Sequence, residues 1–182
     1  KIMAESGIKD FYTAKRKAAS RLGMSNTKNL PRNAEVEQAL SEYLRLFKHD
    51  TQPVQLRELR ETTLRIMHYL KKFNPHLAGA VLTGTADRYS GINIHVFTDS
   101  PEDIARYLLE EAIPFKAIET RLNQAKGQVV RYPAYYFTAG ETEIEITVFP
   151  VDGIRQAPLS AVDGKPMRRA SMSEVGQLIY KL

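Results

Sequence analysis

The segment Leu77–Phe97, LAGAVLTGTADRYSGINIHVF, decides how this chain is read. A short apolar run, Ala78–Leu82, leads into Gly84-Thr85; a small turn follows, and Ile92–Phe97 then alternates. Alternation with a period of two marks a strand with one buried face. Ile92, Ile94 and Val96 are assigned to the core, and Gly91, Asn93, His95 and Phe97 to the opposite face. Ala78–Leu82 is expected to be a second strand. A glycine and a hydroxyl residue between two strands suit two roles. One is a tight turn that needs a small residue; the other is a phosphate cradle of backbone N–H groups at a helix N-terminus.

Downstream, Ser100-Pro101-Glu102-Asp103 predicts a helix start, with a capping serine, proline at the first position and acids in the first turn. That helix carries Ile104, Tyr107, Leu108 and Ala112. Phe115–Arg121 is read as a strand, and Gln128–Thr138 with Glu143–Phe149 as a hairpin around Ala139-Gly140. A loop from Pro150 to Pro166 follows. Ser171 and Glu174 make a capping-box pattern for a last helix bearing Val175, Leu178 and Ile179.

Upstream, the period is helical. Ile8, Phe11, Ala14, Ala18 and Leu22 share one face, and Gly23 suits the stop. After a polar loop, Met24–Arg32, Asn33 is expected to cap a helix with Val36, Ala39, Leu40, Tyr43 and Phe47 on one side. Pro53 fits the first turn of a third helix, whose apolar face is Leu56, Leu59, Ile66, Met67, Leu70 and Phe73. Asn74-Pro75 ends it. The order predicts an α+β protein, with an N-terminal helical region, 1–74, packed on a mixed sheet with flanking helices in 75–182 as one compact unit.

Composition narrows the chemistry. The absence of cysteine excludes disulfides, thiolate metal sites and a thiol nucleophile. No apolar run approaches the ~20 residues that span a bilayer. The N-terminus lacks the apolar core of a signal peptide, Met3 reads as the natural first residue, and a cytoplasmic location without membrane association is expected. A net charge of +5 permits an anionic partner without identifying one. There is no Gly-x4-Gly-Lys-Ser/Thr, no His-Glu-x-x-His and no Gly-x-Ser-x-Gly.

In its layout the segment from Leu77 to Phe149 resembles the nucleotidyltransferase superfamily. There a strand, a Gly-Ser turn and a short helix precede an Asp-x-Asp strand, and a later strand supplies a third carboxylate. Across nearly its whole length the chain is similar to a proteobacterial branch that lacks the Asp-x-Asp pair. The branch motifs stand here as Leu30-Pro31-Arg32-Asn33, Gly84–Asp87 and Ala157–Ser171. The resemblance implies a nucleotidyltransferase-like mixed sheet and, in active members, divalent metals on those carboxylates that bridge nucleotide phosphates. Gly91 and Asn93 stand at the Asp-x-Asp positions, and only Glu143 or Glu145 can take the third-acid role. Glycine offers no ligand, and a neutral amide oxygen is a poor substitute for a carboxylate on Mg²⁺. Two-metal transfer is therefore not expected.

Three functions stay open on these residues. The first is a fold that binds a nucleotide or another phosphate-bearing anion, or acts as a regulatory module, without transfer. The second is an active nucleotidyl- or phosphotransferase with a remodelled metal site. Its ligands would be Asn93, His95 and Glu145, with Glu143 in reserve, around Mg²⁺, Mn²⁺ or a softer ion such as Zn²⁺. The third is a basic RNA-binding protein using Lys15–Arg21 and Arg168-Arg169. Each residue also has a plain reading: His95 as a partly exposed strand histidine, Asp87 as a turn cap, and Glu143 and Glu145 as a solvated strand face. The loop cations Lys165, Arg168 and Arg169, just before a capped helix, are candidates to contact phosphate together with Gly84 and Thr85. Tyr132, Tyr135, Tyr136 and Phe137 are expected to pack the sheet.

Overall fold

A computed structural model describes residues 1–180. The expected α+β architecture is present. Helices α1 (Ile2–Ser6), α2 (Phe11–Arg21), α3 (Asn33–Phe47) and α4 (Gln52–Tyr69) precede a five-stranded mixed sheet. Its strands are β1 (His76–Ala78), β2 (Ile92–Phe97), β3 (Lys116–Asn123), β4 (Val129–Ala139) and β5 (Thr142–Phe149), in the spatial order β1-β2-β5-β4-β3. The β2–β5 pair is parallel and the other pairs are antiparallel. Three further helices lie between or after the strands: α5 (Ala80–Thr83), α6 (Glu102–Glu110) and α7 (Met172–Tyr180). Among the described residues no helix is long and apolar enough to cross a membrane.

The alternation in β2 and β5 builds the core. Ile92, Ile94, Val96, Ile144, Ile146 and Val148 are buried on one sheet face, beneath Leu56, Leu59, Ile66, Met67, Leu70 and Phe73 of the α4 region. Ile104 and Leu108 of α6 and Val175 of α7 complete that layer. Tyr135 and Phe137 join it from β4, so the aromatic strand packs the sheet as expected. The Ser171–Glu174 capping box forms: the Glu174 carboxylate accepts from Ser171 N–H and Oγ–H, each at 2.7 Å. Arg60 is a buried cation on α4, donating to the carbonyls of Val81 at 3.2 Å and Leu178 at 3.1 Å. It ties α5 and α7 to the same helix and satisfies carbonyls left open at short helices.

Several local expectations are corrected. Ala78–Leu82 is not a strand: Gly79, at φ 75° and ψ −156°, ends β1 after three residues, and Ala80–Thr83 turns as a helix. Only glycine enters that backbone region without strain. The first helix divides at Gly7, which is left-handed, and Asp10 caps α2 by accepting from Thr13 N–H at 2.5 Å. Leu22 lies beyond the end of α2 and is 76% exposed. Asn33 does not cap α3; it is the first helical residue, its side-chain amide donates to the Ala161 carbonyl at 2.6 Å, and Glu35 accepts from Arg32 N–H instead. Phe47, expected on the apolar side of α3, is 66% exposed. Ser100 bonds through its backbone carbonyl rather than its hydroxyl, because Pro101 takes the N-cap place of α6. Ala112 lies past the end of α6 with φ 53°.

Candidate functional site

The second face of the sheet carries Asn93, His95 and Phe97 from β2 and Glu145, Thr147 and Phe149 from β5, paired Asn93 with Glu145 and His95 with Thr147. Near Asn93 a cleft of about 410 Å³ opens between the start of β2, the N-terminal helices and loop 160–168. Gly91 and Asn93 line it, with Gly79, Thr83, Thr85 and Ser90 beside them. Lys9 and Arg168 face Glu37, Asp87 and Asp163 around its rim, and Ile8, Phe11, Leu40 and Tyr89 supply apolar walls.

Close packing explains the bare floor. A Cβ added at Gly91 would lie 3.0 Å from the Glu143 carbonyl oxygen, so a side chain there requires the β2–β5 backbones to part. The amide of Asn93 packs on Gly79, where an added Cβ would meet Nδ2 at 2.7 Å. Gly79, not Gly84, thus sits at the strand-to-helix junction beside Asn93. The signal for this in the sequence is a glycine directly after Leu77-Ala78; reading that segment as a continuous strand conceals it.

The other candidates are distributed differently from their sequence grouping. Gly84 ends α5 outside the cleft, and its carbonyl accepts from Gln52 at 3.0 Å. The N–H groups of Gly84 and Thr85 both donate to the Ala80 carbonyl, at 2.9 and 3.1 Å, so neither is free to bind a phosphate. The Thr85 hydroxyl lies 3.1 Å from that of Thr83, and both residues line the cleft. Asp87 closes its own turn by accepting from Tyr89 N–H and Ser90 Oγ–H at 3.0 and 3.1 Å.

Of the two sheet carboxylates, Glu143 pairs with Lys9 and also accepts from Tyr136, contacts that hold its carboxyl below the usual range. Glu145 accepts from Thr120 Oγ at 2.6 Å and Thr147 Oγ at 3.4 Å and does not line the cleft. Among the described residues no three of His, Cys, Asp and Glu are grouped so as to hold a metal ion.

His95 is buried rather than partly exposed, at 3%. Its Nδ1 accepts from Arg169 Nε at 2.9 Å, and its ring lies 4.6 Å from that of Phe149. Burial pushes the imidazole down to about 3, with the Arg169 charge and His76 adding to the effect. It is therefore a neutral acceptor at ordinary pH, and that nitrogen is occupied.

The three loop cations separate. Residues Leu77 and Ala170 exchange backbone hydrogen bonds at 2.8 and 2.9 Å, so the chain before α7 runs extended beside β1. Successive side chains then point to opposite sides. Arg168 lines the cleft, whereas Arg169 lies over Phe149 and Phe97 at 4.5 and 5.0 Å and donates to the Gly153 carbonyl at 2.8 Å. Burial lowers the Arg169 guanidinium to about 10. Lys165 is exposed and lies outside the cleft, its backbone N–H donating to Asp163 at 3.1 Å. On α2, Lys15 donates to the Pro31 carbonyl and Asn33 Oδ1, at 3.1 and 2.7 Å, and Arg16 to the Thr27 carbonyl at 3.4 Å. These two hold the loop before α3.

No family model and no curated protein matches this sequence. Among solved structures, it is similar to Cid1 in complex with the UTP analog UMPNPP, at 17% identity and a TM-score of 0.36 over 63% of this chain and 36% of that one. A second Cid1 structure, described for its RNA terminal uridylyl transferase activity, matches at 20% identity and a TM-score of 0.36 over 64% and 37% of the two chains. The chain spans little more than a third of the length of these neighbours, and likenesses of this size assign no activity.

Proposed function

We propose that this chain is a nucleotidyltransferase-fold protein without two-metal transfer, whose cleft beside Asn93 binds a small phosphate-bearing ligand such as a nucleotide. One observation carries the reading: Gly91 and Asn93 form the cleft floor where transfer would need two carboxylates, and Glu145 is turned into hydrogen bonds with Thr120 and Thr147. A metal pair needs anionic ligands to stand between it and the phosphates. Binding alone needs fewer groups. Arg168 and the hydroxyls of Thr83 and Thr85 are the donors for phosphate, and the Tyr89 and Phe11 walls are apolar surface for a base. Burial and the neighbouring Asp163 raise the Glu37 carboxyl above its ordinary value. The mixed charge of the rim predicts weak affinity.

The test is a thermal-shift titration with nucleoside mono- and triphosphates, with and without Mg²⁺ or Mn²⁺. A ligand that binds only the folded state raises the melting temperature by mass action. The expected result is a saturable rise of equal size with and without metal, lost in Arg168→Ala. Metal-dependent incorporation of a labelled nucleotide by the purified protein would refute the reading, as would a flat titration with every nucleotide.

A further inference from the structure

The sheet ends on an open edge. Strand β3 pairs along its whole length with β4, from Lys116 opposite Tyr136 to Asn123 opposite Val129. On its outer side the described residues contribute one contact, at the extreme end, where Leu159 N–H donates to the Asn123 carbonyl at 2.6 Å. β4 pairs with β5 only from Ala134 onward, so the half of the hairpin around Thr120 and Tyr132 extends past the rest of the sheet. Ile118, Glu119 and Arg121 are exposed there. A strand edge of this length, with unpaired N–H and C=O groups, is a template for another strand.

The sequence on that edge, Ile118-Glu119-Thr120-Arg121-Leu122, is complementary to itself. We propose that two copies of this chain associate through β3, antiparallel about a twofold axis at Thr120, to form one continuous sheet. In this register Glu119 of each copy lies opposite Arg121 of the other, twice, and Ile118 lies opposite Leu122, twice. Opposite charges and apolar pairs directly across antiparallel strands stabilise the pairing, and like charges oppose it. A twofold axis normal to the sheet keeps each side chain on its own face, so it must pass through a residue. Placed at Glu119 or at Arg121, it would set two like charges against each other; Thr120 avoids this.

The isolated chain also carries a conflict that the pairing relieves. Arg121 stands directly opposite Arg131 on β4, and among the described residues Arg121 forms no ion pair. Glu119 reaches Arg131 only at 3.5 Å, with both side chains more than half exposed. A second copy brings Arg121 a carboxylate. Self-complementary patches of this kind are the usual basis of closed twofold dimers. The contact is short, so the dimer is a weak one that grows with concentration.

Sedimentation velocity of the full chain from about 5 to about 500 µM spans the range of such weak association. The wild type is expected to move from monomer to dimer. E119R and R121E each set like charges opposite one another, and each is expected to weaken association by about tenfold or more. Mixed in equal amounts they become complementary and should form a heterodimer, and the double variant E119R/R121E, with signs exchanged, should dimerise like the wild type. Both side chains are exposed, so circular dichroism and melting temperature serve as folding controls. A wild type that stays monomeric throughout overturns the proposal. So does a dimer indifferent to both single reversals, or a mixture and a double variant that remain monomeric.

Discussion

Replacing His95 with asparagine removes a titrating group from the sheet while keeping an acceptor near Nδ1 for Arg169. In the wild type burial holds the imidazole at about 3, against an ordinary value of 6.5, and the Arg169 charge and His76 push the same way. Protonation would also cost the 2.9 Å bond that Arg169 Nε donates to Nδ1 and set two cations in contact. Between these two values the unfolded chain takes up a proton that the folded chain refuses. Stability then rises with pH, because the unfolded state binds more protons. The contribution is fully present above pH 6.5 and is lost as pH falls toward about 3. At ~1.4 kcal/mol for each pH unit separating the folded and unfolded titrations, the full loss is about 5 kcal/mol, of which about 3.5 kcal/mol falls above pH 4. Urea unfolding followed by circular dichroism, from about pH 8 to pH 4, measures it. His95→Asn is expected to be less stable at pH 8 by ~1–2 kcal/mol, through lost packing on Phe149. Its acid limb should be flatter, so the two curves converge as the pH falls and cross before pH 4. Carboxylates titrate equally in both proteins and cancel in the difference. A wild-type-minus-variant difference that does not change with pH would refute the reasoning.

Three further substitutions probe the same architecture. Arg169→Ala abandons the His95 nitrogen and the Gly153 carbonyl and strips the guanidinium from Phe97 and Phe149; a loss of ~2–4 kcal/mol in chemical unfolding is expected, with faster amide exchange in loop 150–170. Gly79→Ala forces a side chain into a glycine-only conformation and onto Asn93, where the added Cβ meets Nδ2 at 2.7 Å; ~2–3 kcal/mol should be lost, and nucleotide binding with it, whereas a neutral effect would mean that the junction is relaxed. Ser171→Ala removes the hydroxyl half of the α7 capping box and should lower stability by ~1 kcal/mol while leaving any nucleotide-induced thermal shift unchanged.

Periodicity exposes most of the fold because burial follows it. The α4 stripe from Leu56 to Met67, the alternation of Ile92–Phe97 and of Ile144–Phe149, and the capping box at Ser171 are local patterns that become the elements they predict, although the helix expected to run to Phe73 stops at Tyr69 and Lys71–Phe73 tightens into a 3-10 turn. The departures fall at junctions. Ala78–Leu82 is apolar enough for a strand, yet one positive φ at Gly79 converts it into a helical turn, and three apolar residues in sequence do not distinguish the two. The opposite face of β2 reads as open when only its own strand is in view. His95 is buried by Phe149, from a parallel strand, and by Arg169, which lies 74 positions away.

The candidate site is legible to the same extent. That positions 91 and 93 hold glycine and asparagine, and so no carboxylate, follows from the sequence alone. Local sequence also determined that Asp87 would close a turn and that the chain would be α+β. Only the tertiary structure decided which residues meet. Register across the parallel β2–β5 pair put Asn93 beside Glu145, while hydrogen bonds from Thr120 and Thr147 hold that acid out of the cleft. An extended segment against β1 sent neighbouring arginines in opposite directions, Arg168 to the cleft and Arg169 to the aromatic face. Side-chain chemistry is written residue by residue, but its availability depends on what packs against each group, and the packing partners here come from distant parts of the chain.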